Sequence, residues 1–217
     1  MLQRISWREL VQAQIALLVA IALQFVLWKM NGELLIGPQY VLIPAEVALV
    51  VLIGLIVNKR HPLISRVNHA FALALLGLIS LGNIGSLVLV LHSLINTHAA
   101  ISGTELLASA VVVFITSVIV FALWYWEIDS PGLTRSRWSK NDQDFQFPQQ
   151  ERKQDFPGWR SEFLDYLYLS ATNAINFAPA DAKPLTHAAK TLMGAQALVS
   201  VFTIALIIAR SVNILGS

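Results

Sequence analysis

The chain contains no cysteine. Disulfides, a thiolate nucleophile and cysteine-based metal sites are therefore excluded. Charge is scarce too: Asp, Glu, Lys and Arg make up 13% of the 217 residues and leave a formal +2, which gives no electrostatic footprint for nucleic acid. No glycine-rich phosphate loop occurs. The five His, at 61, 69, 92, 98 and 187, never recur at the i, i+4 spacing that sets two metal ligands on one helix face. Ser and Asp stand outside any nucleophile-elbow pattern. These absences argue against an enzyme and give no metal or cofactor to expect.

Apolar residues are what the chain has in quantity. They reach 56%, with a mean hydropathy of +0.63, and fall in blocks separated by charged connections. Five blocks, Val11–Trp28, Tyr40–Val57, His69–Leu91, Leu106–Trp124 and Leu192–Ala209, are each roughly long enough to cross a hydrocarbon core about 30 Å thick. Lipid cannot pair exposed backbone groups, so each crossing must be a helix. The fold class expected is an all-α integral membrane protein with five transmembrane helices. The first block is longer than a signal peptide's apolar region and lacks a small-x-small cleavage site, so it reads as a retained anchor, with an interfacial helix as the alternative. Its Gln12, Gln14 and Gln24 are expected to face other helices.

Orientation follows from the basic residues, because Lys and Arg in short connections are retained in the cytoplasm. Alternating crossings put Arg4, Arg8, Lys59, Arg60 and Arg66, and every Lys and Arg from Arg135 to Lys190, on one side. Only Lys29 and Arg210 fall on the other. The expectation is a cytoplasmic N-terminus, an external C-terminus, and the long 128–160 connection in the cytoplasm. That connection carries "DFQFP" (144–148) and "DFPGW" (155–159). Two readings stand for it: paired turns whose Phe side chains dock, or a mobile linker with incidental aromatics. The "WYW" run at 124–126 reads as interfacial anchoring.

Between this connection and the last block lies "SATNAINFAPADAKPLT", more polar and longer than a simple surface loop. Ser161 is a candidate N-cap, Glu162 and Asp165 suit a positive first turn, and Phe163, Leu164, Leu167, Tyr168, Ala171 and Ala174 recur at helical steps. The pattern predicts a short helix over 161–175, too short to span. A short helix, a polar strip and then a spanning helix make the pattern of a re-entrant loop, tolerated in a membrane where irregular backbone lines a cavity.

Residues 106–213 resemble the outer helix, pore helix, filter and inner helix of tetrameric potassium channels. That family's filter consensus, Thr-Val-Gly-Tyr-Gly-Asp, falls on Asn176, Phe177, Ala178, Pro179, Ala180 and Asp181. Ser170 falls on the pore-helix serine, and Asp181, Pro184 and Thr186 fit the family's Asp-x-x-Pro-x-Thr. The C-terminal pattern is also similar to that of uncharacterised bacterial five-helix membrane proteins. The resemblance implies three N-terminal helices (1–105) followed by a pore-loop module (106–217) with a pore helix at 161–175 and a filter-like strip at 176–181. It further implies a bacterial inner-membrane location, a homotetramer, and monovalent ions as permeant partners. Ala178, Pro179 and Ala180 stand where a potassium filter uses glycine to alternate its backbone, so potassium selectivity does not carry over. The charge distribution also inverts the familiar geometry, opening the loop to the cytoplasm.

Within such a loop, Thr172, Asn173, Asn176 and Asp181 are the polar filter-like positions. In one reading, Asn side chains form a constriction and a ring of Asp181 gathers cations at its mouth. In the other, Asn173 and Asn176 cap the short helix, while Asp181 pairs with Lys183 or caps the last helix. Glu46 and His92, expected at similar depth, read either as a relay for protons or ions or as a packing hydrogen bond. Asn83, between Gly82 and Gly85, reads as close helix packing. Arg210 can snorkel to the interface. Two functions remain: a channel-like tetramer, or a non-conducting scaffold that binds a cytoplasmic partner through 128–160. A secondary transporter is disfavoured because the blocks show no internal repeat.

Single cysteines at Asn96, Ser139 and Ser217 test the orientation without background labelling. In intact cells a membrane-impermeant maleimide is expected to react at positions 96 and 217 and to leave 139 unlabelled. Labelling at 139 would restore the ordinary channel geometry.

Overall fold

A computed structural model of the chain describes residues 7–30, 39–56, 62–95, 102–129, 143–176 and 182–215. These are helical apart from one small two-stranded ribbon and short connections. In order, the elements are α1 (Trp7–Met30), α2 (Gln39–Ile56), α3 (Pro62–Ile95), α4 (Gly103–Asp129), β1 (Phe145–Gln146), α5 (Pro148–Glu151), α6 (Phe163–Asn176), β2 (Lys183–Pro184) and α7 (His187–Leu215).

Among the described residues, four helices are long and apolar enough to cross a membrane: Arg8–Met30, Phe71–Leu94, Gly103–Asp129 and His187–Val212. They take up four of the five expected blocks and extend most of them. The second expected block lies on α2, an 18-residue helix interrupted by Pro44, whose Tyr40–Val51 segment is the shorter apolar stretch. A membrane-embedded, multi-pass, all-α chain is therefore what the architecture gives.

Helix ends are set by local chemistry. Ser102 and Glu105 form a capping box that opens α4: Glu105 N–H donates to Ser102 Oγ (3.2 Å), and Ser102 N–H donates to Glu105 Oε2 (3.0 Å). Thr186 caps α7 by accepting from the Ala189 N–H at 3.2 Å. At α6 the expected cap is replaced. Asp165 reaches back to accept from the Glu162 N–H at 2.7 Å, while the Ser161 hydroxyl turns to the Tyr166 hydroxyl at 2.8 Å.

α4 is the central element, packing against α1, α3, α6 and α7, while α2 covers α1 and α3. Trp124 Nε1 donates to Ser80 Oγ at 2.9 Å and ties α4 to α3. α7 runs antiparallel to α4. Gln196, near its start, meets Tyr125 near the end of α4, and Leu206 joins Leu106, Ala110 and Val113 near the other end.

The "WYW" run differs from its expected role. Tyr125 and Trp126 are fully buried, packed by Phe145 (5.2 Å between ring centroids) and Phe163 (5.6 Å). The reason is that the polypeptide itself covers this end of α4. Phe145 and Phe147 of the "DFQFP" piece are driven into the core around Tyr166, and Trp159 packs on Phe147 at 5.6 Å. In "DFPGW" the backbone turns instead: Trp159 N–H donates to the Phe156 carbonyl (3.2 Å), Pro157 supplies the first corner, and Gly158 takes φ +78°. This is the dihedral that the second corner of a type II turn requires.

β1 pairs antiparallel with β2, Phe145 opposite Pro184 and Gln146 opposite Lys183. The segment before α7 is thereby fastened to the segment after α4. Phe145→Ala removes the ring that joins Tyr125, Tyr166 and β2. It is expected to cost about 3–5 kcal/mol, read as a lower unfolding temperature of the detergent-solubilised protein, whereas Phe156→Ala on the exposed turn should leave that temperature almost unchanged.

Candidate functional site

The polar side chains that the fold gathers lie where α4, α6 and α7 meet. They form two connected tiers. The upper tier is centred on Asp129, the last residue of α4. Its Oδ1 accepts the Asp144 N–H at 2.5 Å and the Phe145 N–H at 3.0 Å, and its Oδ2 accepts the Tyr166 hydroxyl at 2.6 Å. Asp144 is fully buried; its carbonyl accepts the Leu185 N–H at 2.8 Å and its carboxylate accepts the Thr186 hydroxyl. One carboxylate thus orients the loop after α4, and the next one holds the start of α7. Burial, reinforced by the Asp129 carboxylate, pushes the Tyr166 hydroxyl well above its ordinary value, which keeps it a donor.

The lower tier is an amide and hydroxyl cluster in which every described proton has an acceptor. Tyr125 donates to Gln196 Oε1. Asn173 Nδ2 lies 2.9 Å from the same oxygen and 3.1 Å from the Met193 carbonyl. Gln196 Nε2 donates to the Ser170 carbonyl at 2.9 Å and to Ser170 Oγ at 2.7 Å, and Ser170 Oγ donates to the Val118 carbonyl at 2.7 Å. All four side chains are buried.

α6 packs with a mixed face inward, Phe163, Leu169 and Ala174 being buried beside its polar side chains. Tyr166, Ser170 and Asn173 point into the junction, while Leu164, Tyr168 and Ile175 stand 52%, 56% and 61% exposed. The helical spacing of Leu164, Tyr168 and Ala171 belongs to the outer side of the helix. α6 also runs antiparallel to α4, since Phe163 meets Trp126 at its start and Ser170 meets Val118 further along. At 14 residues it extends about 21 Å from the level of Asp129. The Lys183–Pro184 strand stands again at that level, against β1.

Neither a protein-family model, a curated protein nor a solved structure matches this chain. The geometry of the junction consequently carries the functional argument unaided.

The filter-like positions separate into four groups. Phe177, Ala178, Pro179, Ala180 and Asp181 lie outside the described residues. Asn173 is engaged in the junction, holding α6 to α7. Thr172 bonds back to the Tyr168 and Leu169 carbonyls at 2.9 and 3.0 Å and borders a small pocket shared with Phe147, Asp165, Tyr168 and Ala182. Asn176 is exposed at the end of α6. Ala182, the first described residue after the strip, is buried in the core beside this pocket.

The other intramembrane candidates are dispersed. Glu46 is buried beside Gln24 of α1, Asn83 is buried on α3, and His92 is on the exposed side of α3. Among the described residues no three His, Asp or Glu side chains assemble as a metal site.

Sequence reasoning passed over Tyr125, Asp129, Asp144 and Gln196. Gln196 carried a usable signal, as the only amide in the apolar run "LMGAQALVSVF". A double-mutant cycle of Asn173→Ala and Gln196→Ala is expected to show a coupling of about 0.6–1.7 kcal/mol, the range found for interhelical hydrogen bonds in membranes. Additive losses in thermal stability would show that the two amides do not act as a unit.

Proposed function

We propose that this chain is the protomer of a potassium-channel-like homotetramer in which α6 and the following strip form a re-entrant loop, α7 forms the inner wall, and monovalent cations pass with non-canonical selectivity. In this reading α2 is a fifth crossing, at 18 residues close to the minimum for a bilayer. The loop opens to the cytoplasm, as the basic residues require.

The observation that carries the reading is the path of α6. The helix leaves the level of Asp129, runs back along α4 for about 21 Å, and the chain stands at its starting level again in β2, against β1. A helix that leaves Leu164, Tyr168 and Ile175 exposed while its polar Ser170 and Asn173 are paired inside suits lipid and neighbouring subunits rather than water. The exposed face of α7 agrees, since only 28% of its most apolar stretch is buried, against 44–56% for the other three spans. A helix left this bare within one protomer is the natural wall of an assembly. Asn176 and Asp181 would then sit nearest the axis, and the carboxylates would draw cations to the mouth.

A scaffold that does not conduct is favoured by a separate observation. Asn173, one of the filter-like residues, is consumed in helix packing, and the whole lower tier is satisfied without any ion. The two readings part in a flux assay. Purified protein in liposomes is expected to pass monovalent cations, and Asn176→Ala and Asp181→Asn to reduce or alter the flux by tenfold or so, the scale of one charged ring. Silence across several cations and pH values leaves the scaffold.

A further inference from the structure

Of the aromatic side chains expected to dock from the 128–160 connection, Phe145 and Phe147 are buried and Trp159 packs on Phe147, while Phe156 stands 44% exposed. The turn that carries it is preformed. Asp155 and Phe156 N–H both donate to the Arg152 carbonyl, at 3.0 and 3.1 Å, and Trp159 N–H donates to the Phe156 carbonyl. The turn's height is also fixed: Trp159 packs on Phe147, which packs on Tyr166, which bonds Asp129 at the end of a membrane-length helix.

Charges around the turn are unevenly used. Arg152 pairs with Asp155 at 2.6 Å and Lys183 with Glu151 at 2.7 Å, which occupies those two carboxylates. Lys153 and Arg160 flank Phe156, both exposed, and among the described residues neither has a carboxylate partner. Leu164 and Leu185, 52% and 45% exposed, lie at the same end of the bundle. An exposed aromatic ring between two unpaired cations, held at the height where a spanning helix ends, matches a bilayer surface in both its apolar and its anionic character.

We infer that the Phe156 turn docks onto the headgroup layer of the surrounding membrane, with the Phe156 ring among the upper acyl carbons and Lys153 and Arg160 on lipid phosphates, and that it takes anionic lipid in preference to zwitterionic. This contact rests on the membrane-embedded fold and is independent of conduction. It gives the connection a fixed seat beside the site, so that the lipid composition of one leaflet bears on the loop that holds α6.

The absence of native cysteine makes the test direct. Gln154→Cys, labelled with an environment-sensitive fluorophore in the full-length protein, is placed in nanodiscs of phosphatidylcholine alone or with phosphatidylglycerol. The expected result is a blue shift and quenching by headgroup-nitroxide lipid, both stronger with phosphatidylglycerol. Replacing Lys153 or Arg160 by Gln should lower the docked-to-free ratio about fivefold each in anionic discs, and Phe156→Ala should abolish the shift in both. A label that stays water-exposed in every disc, or equal quenching with and without phosphatidylglycerol, overturns the proposal. Unfolding temperatures close to that of the parent protein confirm that the variants are folded.

Discussion

A buried amide or carboxylate surrounded by lipid has nowhere to go except another protein group, and this constraint organises the C-terminal half of the chain. Gln196 sits at its centre. Its amide reaches Tyr125 on α4, Ser170 and Asn173 on α6, so one side chain joins three helices that hydrophobic contact alone would leave free to slide. Apolar surfaces in a bilayer gain little from meeting each other, because lipid tails are equally apolar. The register of α6 against α4 and α7 is therefore set by hydrogen bonds, with the aromatic side chains filling the space that those bonds define.

Asp129 extends the same logic beyond the helices. Two backbone N–H groups and one phenol converge on it, so the buried carboxylate finds in the chain the donors that water would otherwise supply. Through Asp144 and Thr186 its hold continues to the first turn of α7, where a helix N-terminus favours negative charge. The ribbon of β1 and β2 is small, yet it closes the circuit, because it binds the segment leaving α4 to the segment entering α7. What enters and what leaves the α6 loop are thus both anchored to one end of one helix.

Much of this was legible in the sequence, for reasons that also explain the failures. The long helices could be read because an apolar run of spanning length has few alternatives in lipid, and the short helix before Asn176 could be read from its periodicity. Its inward face could be read only in part. Phe163 and Ala174 of the apolar pattern are inside, with Leu169, but Tyr166, Ser170 and Asn173 share that face while Leu164, Tyr168 and Ile175 stand outside, because the rule that apolar residues face the core assumes water outside. Trp126 and Tyr125 misled in a related way, since aromatic residues at the end of a span usually meet headgroups. Here Phe145 reaches Tyr125 first, from a connection whose pairing partner lies nearly forty residues further on, and Phe163 covers Trp126. Ser161 lost its capping role to Asp165 because its hydroxyl is taken by the buried Tyr166 hydroxyl.

The exposed face of α6 bears on how the protomer can exist at all. Its outer stripe and the bare side of α7 lie on helices that contact each other. If α6 is re-entrant as proposed, lipid would cover Leu164, Tyr168 and Ile175 but would pair neither the carboxamide of Asn176 nor the terminal carbonyls of the helix, which end about 21 Å from the level of Asp129. Water or a second protein surface would then have to meet that point. Subunits arranged about an axis would supply both together. In the proposed assembly the junction around Gln196 would have a mechanical role, holding the end of α6 at a fixed depth so that whatever passes or stops there would meet the same polar edge in every copy.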